Sequence, residues 1–348
     1  MNPPVGAAAT RIVSVIVPCR NERAHIEAFA GQLGAQRLGA GWALEVVVAD
    51  GASDDGTRER LADWQARDAR VVVVENPARI VAVGLNRALA RARGEVVVRM
   101  DVHTRYADDY LARSIEALES AGAACVGGAW RPLGTAGRGE AIALAFASRF
   151  GSGGAASRRA DYTGEVDTVY LGAWRRTELL RLGGFDETLV RNQDDELALR
   201  IVRGGGRIWQ SAAIRSWYVP RASFAALARQ FYQYGYWKVA VIRKHRLPAA
   251  PRHLVPFAFV ATLAALALAG TAWRPALAAA ALLAASYAGA ALAAAAALVP
   301  PWRRARRWLQ VAFAFGCMHF GYAFGFARAL ADQALGRAPS HAATRLTR

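Results

Sequence analysis

Asp101 and His103 stand two residues apart just beyond an apolar run, in "VVVRMDVHT". On an extended segment, side chains at i and i+2 lie on one side while the spacer points away. A carboxylate oxygen and an imidazole nitrogen placed in this way can meet one divalent cation. The pair suits Mn2+ or Mg2+ with a diphosphate completing the shell. Such a cation would neutralise charge on a departing nucleoside diphosphate. The plainer reading has Asp101 capping a helix that begins near Ala107 and His103 lying on the surface.

Two other apolar runs also end in polar residues. "IVSVIV" is followed by Pro18-Cys19-Arg20-Asn21-Glu22. Proline ends the strand, Asn21 can cap the next helix, and Arg20 and Glu22 are candidates for touching a base or ribose. "LEVVVA" leads into "ADGASDDGT", Ala49 to Thr57. Asp50 at that tip can accept hydrogen bonds from a uracil or guanine edge. Gly51 and Gly56 give a tight turn, and Asp55 is a second polar anchor or, with Thr57, a helix cap. No G-x-G-x-x-G occurs, so the dinucleotide fingerprint is absent.

The elements that must position these residues follow from patterning. "IVSVIV", "LEVVVA", "VVVV" and "EVVVRM" are short, β-branched and nearly continuous, as strands buried on both faces are. Between them, "NERAHIEAFAGQL", "GTRERLADWQAR" and "IVAVGLNRALARAR" have helical spacing. The alternation predicts an α/β fold with an open, mostly parallel sheet flanked by helices. Ligands of such sheets sit beyond the carboxyl ends of the strands. The Gly- and Ser-rich stretch from Gly151 to Thr163 reads as a mobile loop near the site, and no internal repeat is visible.

Lys plus Arg number 44 against 27 Asp plus Glu, a net charge of +17 over 348 residues. The excess suits an anionic partner such as nucleic acid, anionic lipid or a phosphorylated substrate, or reflects an Arg-rich composition. Part of it is juxtamembrane and no base-reading module is present, so no nucleic-acid partner is expected. The three cysteines, Cys19, Cys125 and Cys317, form no C-x-x-C pair, which excludes zinc-ribbon and redox readings.

After Arg252 the composition changes. Leu254–Ala272, Ala276–Val299 and Leu309–Ala327 are apolar stretches of the length that spans hydrocarbon, the second weaker because alanine is only mildly apolar and the third carrying a histidine and several glycines. The basic segments "RKHRLPAAPRH" and "PPWRRARRW" fall on one side of a hairpin formed by the first two. The positive-inside rule makes that side cytoplasmic. A third span would carry Arg337, Arg345 and Arg348 outside, against the rule, so that stretch could instead lie in the interface.

In order and spacing, "VSVIVPCRNE", "VVVADGASDDGT" and "ARARGEVVVRMDVHT" resemble the opening strand, the D-G-[GS]-S-x-D-G-T segment and the D-x-D element of family 2 inverting nucleotide-sugar glycosyltransferases. The resemblance runs from Arg11 to about Arg246 and implies a GT-A fold, here followed by C-terminal transmembrane helices. D-x-H replaces D-x-D, and histidine can ligate the same cations. "LGGFDETLVRNQDDELALRIVRGGGRI" resembles the family block whose E-D aspartate is the general base. That pair reads Gln193-Asp194 here, so Asp194 inherits the role, with Asp195 as rival. Acids favoured at a helix start would give the same letters.

The expected donor contacts are therefore Pro18, Arg20, Glu22, Asp50, Asp55, Arg99 and Asp101, with Asp101 and His103 on the metal. "LARQFYQYGYWKVAVIRKH" occupies the place of the family's Q-x-x-R-W element without its R-W pair, which argues against processive synthesis. Asp195, Gln230, Gln233, Trp237 and Lys238 are expected at acceptor or phosphate, or on an amphipathic interfacial helix. The ensemble is similar to membrane-bound glucosyltransferases of succinoglycan-type exopolysaccharide assembly. It implies a UDP-hexose donor and a polyprenyl diphosphate-linked sugar acceptor at the cytoplasmic membrane. The alternatives are a polyprenyl-phosphate sugar synthase, a glycolipid synthase or a non-catalytic nucleotide-sugar-binding scaffold. The expected organisation is a disordered start (1–10), a catalytic domain (11–221), a linker helix (222–252), a membrane domain (253–330) and a basic tail (331–348).

Overall fold

The computed structural model describes residues 10–134, 136–299 and 305–345. The expected disordered start lies outside it but for Thr10, as do residues 300–304 of the basic linker and 346–348 of the tail. The described residues form two compact units. One holds the chain up to Trp130 and Arg159–Trp217; the other holds Arg131–Arg158 and the chain from Tyr218 onward.

The first unit alternates strands and helices: β1 (Arg11–Cys19), α1 (Ile26–Gly34), β2 (Trp42–Asp50), α2 (Thr57–Arg67), β3 (Val71–Glu75), α3 (Val81–Arg91), β4 (Val96–Arg99), β5 (Thr104–Tyr106), α4 (Tyr110–Ala121) and β6 (Cys125–Gly128). In the second unit β7 (Arg131–Pro132), α5 (Arg138–Ala147) and α6 (Arg149–Ser152) follow. The first unit resumes with β8 (Gly164–Glu165), β9 (Tyr170–Arg175), α7 (Arg176–Arg181), α8 (Gln193–Arg203), β10 (Ile208–Gln210) and β11 (Ser216–Tyr218), whose last residue falls in the second unit.

Eight of these strands make one sheet in the order β3-β2-β1-β4-β9-β6-β10-β8. β3, β2, β1 and β4 are parallel, β9 runs antiparallel between β4 and β6, and β10 is parallel to β6. The central valines of β1, β2 and β4 are buried, as continuous β-branched runs covered on both faces should be. Adjacency of β2, β1 and β4 brings the residues that follow them to one edge of the sheet. The helix expected near Ala107 begins at Tyr110. Pro18 lies inside β1, paired with Ala49, and the strand runs on to Cys19.

The second unit continues with α9 (Phe224–His245), α10 (Val255–Ala269), α11 (Arg274–Leu298), α12 (Ala305–Ala334) and α13 (His341–Thr344). Segment 131–158, expected within the catalytic domain, belongs to this unit because α5 buries Ile142, Ala145 and Phe146 there. The expected mobile loop starts with two helical turns, α6 and a 3-10 turn at Ala156–Arg158.

The ranking of the apolar stretches also changes. Among the described residues, Arg274–Leu298 and Arg306–Ala334 are long and apolar enough to cross a membrane. α10 has only 15 residues, about 22 Å at the helical rise, because part of its apolar run forms the turn at Gly270–Trp273. The third stretch becomes the longest helix, and its odd residues have structural uses. His319 is bonded to Tyr287 Oη (2.9 Å) and to the Phe150 carbonyl (3.1 Å). Gly321 and Gly325 let the backbone of α9 approach where any Cβ would collide with the Ala228 and Tyr232 carbonyls. Contacts from Phe224–Phe313 to Tyr236–Asp332 advance in step, so α9 and α12 run parallel.

Candidate active site

The turn after β1 and the loop after β2 are tied together by their polar side chains. Ser53 Oγ donates to Asp50 (2.6 Å) and accepts from the Asn21 amide (2.9 Å). Asn21 and Asp54 exchange two hydrogen bonds, 2.8 and 3.0 Å. Thr57 Oγ1 accepts from the Glu22 amide (2.8 Å) and donates to Asp55, which also accepts from the Arg23 amide. Asn21 therefore does not cap α1, whose first turn lacks a side-chain cap; it braces the neighbouring loop from a left-handed backbone (φ 54°). Asp55 also accepts from the Thr57 amide (3.0 Å) at the start of α2, whose N-cap is Gly56. Asp50 is at the strand tip as expected, but buried, with Ser53 on one oxygen and Arg58 at 3.5 Å from the other. Arg20 lies under Gly51, where a Cβ would crowd it.

The buried Cys19 at the end of β1 records how these acids cluster. Burial pushes its thiol up, and Glu22, Asp50 and Asp55 push it further. This thiol is no nucleophile, since the thiolate is the reactive form.

Beyond β4, the Asp101 carboxylate is gripped by both arms of Arg99, at 3.0 and 3.2 Å. The backbone of Asp101 is clamped at both its N–H and C=O by Tyr106 Oη, 2.6 and 3.0 Å. His103 turns Nδ1 to Glu22 Oε1 at 3.1 Å. Burial alone would lower the Arg99 guanidinium, yet Asp101, then Asp194, raise it above its ordinary value. Asp194 therefore acts electrostatically on the same guanidinium that holds Asp101, which joins the start of α8 to the end of β4.

Asp194 is exposed in the first turn of α8, one oxygen accepting from the Asp195 amide at 3.0 Å. Its neighbours anchor the helix. Glu196 is fully buried against Arg200, which also bonds the carbonyls of Leu182 and Gly184. Asn86 of α3 pins Phe185 through two backbone hydrogen bonds of 2.8 Å. The Gly-Gly-Phe segment is thereby fixed from two sides, and Asp194 is left facing solvent. Trp130 and Tyr170 stack at 5.1 Å and 3°, with Tyr170 Oη 2.9 Å from Thr104.

Sequence reasoning did not single out Asn86, Tyr106, Trp130, Tyr170, Glu196 or Arg200. Glu196 and Arg200 were readable as an i, i+4 pair, and Tyr106 meets Asp101 five residues away; the partners of Asn86, Trp130 and Tyr170 come from distant segments. Lys238 is buried in α9. Gln230 bonds the hydroxyls of Tyr218 and Tyr234. Gln233 and Trp237, expected at acceptor or phosphate, are corrected by the structure. Gln233 Nε2 donates to the Ala342 and Arg345 carbonyls (3.1 and 2.8 Å), and Trp237 Nε1 to Ala343 (3.0 Å). They hold the chain's own α13.

Among the described residues, no three His, Cys, Asp or Glu side chains are arranged around one metal position. Asp101 and His103 do not make an all-protein cage. They fit a cation that takes its other ligands from a diphosphate and water, as Mg2+-type ions do with one or two protein ligands.

A mostly parallel sheet with an acidic strand-end site is the architecture of a GT-A glycosyltransferase. The sequence profile described as "Glycosyl transferase family 2" matches residues 14–181. Succinoglycan biosynthesis protein ExoA of Rhizobium meliloti (strain 1021) is 33% identical over 246 residues, 70% of this chain and 74% of that protein. The chain belongs to glycosyl transferase family 2. An enzyme of Methanococcus voltae named dolichyl N-acetyl-alpha-D-glucosaminyl phosphate 3-beta-D-2,3-diacetamido-2,3-dideoxy-beta-D-glucuronosyltransferase is 24% identical over 238 residues, 65% of this chain and 72% of that protein. Among solved structures, the mannosyltransferase PcManGT of Pyrobaculum calidifontis in complex with GDP-Man and Mn2+ matches with TM-score 0.62 and 24% identity, over 94% of this chain and 88% of that one. S. aureus TarS 1-349 in complex with UDP-GlcNAc matches with TM-score 0.52 and 15% identity, over 95% of this chain and 93% of that one.

Proposed function

We propose that this glycosyltransferase moves a hexose from a nucleotide-sugar, UDP-hexose first among the candidates, to a hydroxyl of a lipid-linked sugar in the assembly of a cell-surface glycan, with inversion. The observation that carries the reading is the exposed Asp194 carboxylate within electrostatic reach of Arg99, the guanidinium that holds Asp101. The acceptor oxygen attacks the anomeric carbon on the face opposite the departing diphosphate, and Asp194 takes the hydroxyl proton. One base suffices for this direct displacement, unlike the paired carboxylates of glycosidases. Asp50 and Arg20 hold the nucleoside side of the donor. Asp101 and His103 hold a divalent cation, Mn2+ or Mg2+, which when bound neutralises charge on the diphosphate. The apolar helices keep the chain in the cytoplasmic membrane as a multi-pass protein, its catalytic unit facing the cytoplasm where nucleotide-sugars are available.

Asp194→Asn should lower transfer by about 10²–10⁴-fold, the usual worth of general base catalysis, while nucleotide binding is retained. Turnover at the wild-type rate would remove the base assignment. A polyprenyl-phosphate acceptor is the second reading, favoured by the dolichyl phosphate in the name of the Methanococcus relative. A phosphate oxygen needs no strong base, so under that reading Asp194→Asn keeps much of its rate. Membranes given labelled UDP- and GDP-sugars should lose transfer on EDTA treatment and regain it with Mn2+ or Mg2+.

A further inference from the structure

Glu22 stands among the expected donor contacts, but its carboxylate is directed at His103. It lies at the end of the turn after β1, side chain 6% exposed, with Oε1 3.1 Å from His103 Nδ1. Its Oε2 is 4.0 Å from His25 Nε2. A carboxylate accepts and does not donate, so His103 Nδ1 must carry the proton in this bond. In the neutral ring the lone pair is then on Nε2.

We propose that Glu22 is a positioning residue for the cation site: it fixes the tautomer and rotation of His103 so that Nε2 is the metal-binding atom. The inference rests on the reading that Asp101 and His103 share a cation, and deepens it. A ligating imidazole whose second nitrogen donates to a carboxylate is more basic and better oriented. The same order of support runs one step further back. Glu22 is held at its amide by Thr57, and the turn that carries it by Ser53 and Asp54. The polar loop after β2 thus supports the metal ligand through Glu22. Asp101 has its own orienting partner in Arg99, so each of the two ligands is set by a different neighbour.

The test is Mn2+ titration, followed by electron paramagnetic resonance, of the full-length detergent-solubilised protein in the presence of UDP and, in parallel, GDP. Glu22→Gln, nearly isosteric, should weaken Mn2+ binding by about 10–100-fold, the range seen when such outer partners are removed. Nucleotide binding without metal should not change. Because Glu22 acts through His103, the double variant Glu22→Gln/His103→Ala should bind Mn2+ no more weakly than His103→Ala alone. The inference is overturned if Glu22→Gln leaves Mn2+ affinity intact, weakens metal-free nucleotide binding, or adds its effect to that of His103→Ala. A measurement without any variant is the ¹⁵N spectrum of wild-type His103, where protonation at Nε2 in the neutral ring would equally refute it. If the wild type binds nucleotide but no Mn2+, the shared-cation reading itself fails and takes this inference with it. Normal Mn2+ binding unmoved by Glu22→Gln rejects the inference alone.

Discussion

Two regions carry polar or aromatic residues that could meet substrate: the strand ends carrying Glu22, Asp50 and Asp101, with Asp194 in the first turn of α8, and the face of α9 carrying Gln230, Gln233 and Trp237. They differ in what their polar atoms face. At the strand ends Asp50 and Asp101 are held by their near neighbours Ser53 and Arg99 and Glu22 meets the distant His103, while Asp194 on α8 remains exposed. On α9 the polar atoms turn inward, to tyrosine hydroxyls and to the carbonyls of α13. A strand ends where its ladder stops, so the next residues emerge at the sheet edge. A helix face has no such default, and polar groups on it serve whatever packs there.

Four measurements would break or sharpen that contrast. The largest effect is expected from Asp194→Asn, with transfer falling by orders of magnitude and the fold unchanged. A thermal melt that drops as far as the rate would make Asp194 structural, like the α9 residues. Next comes Arg99→Met, which leaves the Asp101 carboxylate at 15% exposure without its bidentate partner. The cost of stranding a buried charge is about 3–5 kcal/mol, and partial exposure puts the expectation near the lower end, read as a reduced unfolding midpoint.

Gln233→Ala should be smaller, about 1 kcal/mol, because the Ala342 and Arg345 carbonyls it leaves belong to exposed residues that water can reach. Its signature is faster hydrogen exchange or proteolysis confined to residues 341–345. Unchanged protection there would return Gln233 to the substrate-facing class.

The smallest effect concerns the far end of the strands. Glu45 is buried and accepts from Ser14 Oγ (2.6 Å), the Arg93 amide (2.8 Å) and Arg93 Nε (2.7 Å). Burial alone would raise its carboxyl, but the bonds from the Arg93 amide, Ser14 and the Arg93 side chain outweigh this and hold it below the usual carboxylate range. A lowered folded value means that its stabilisation is complete above the ordinary carboxylate pKa and is lost as pH falls through the lowered one. Wild type and Glu45→Gln should therefore differ in stability near neutral pH and converge in acid. A gap that widens on acidification would contradict the assignment.

Much of this molecule was legible as letters. The valine runs of β1, β2 and β4 read as strands covered on both faces and the helices between them as crossovers of a parallel sheet, whereas β3, read in the same way, is an edge strand with only Val71 buried. Asp101 and His103 stand out because their neighbours in sequence place them after a strand, and Asp194 because its segment resembles a family block. The limits appear where one residue had two partners to choose from. Asn21 was read as a cap and became a brace, because Asp54 lies in the adjacent loop only once β1 and β2 pair. Glu22 was read as a nucleotide contact and instead meets His103, 81 positions away.

The sequence by itself determined the sheet, the family motifs and the acids at the strand ends, because apolar periodicity and strand-end position are local properties of the chain. Tertiary structure alone decided that segment 131–158 joins the apolar helices, that α12 outranks α10 as a span, and which side chain each polar atom meets. Those outcomes depend on the approach of distant backbones, as at Gly321 and Gly325 against α9, and no local pattern encodes such an approach.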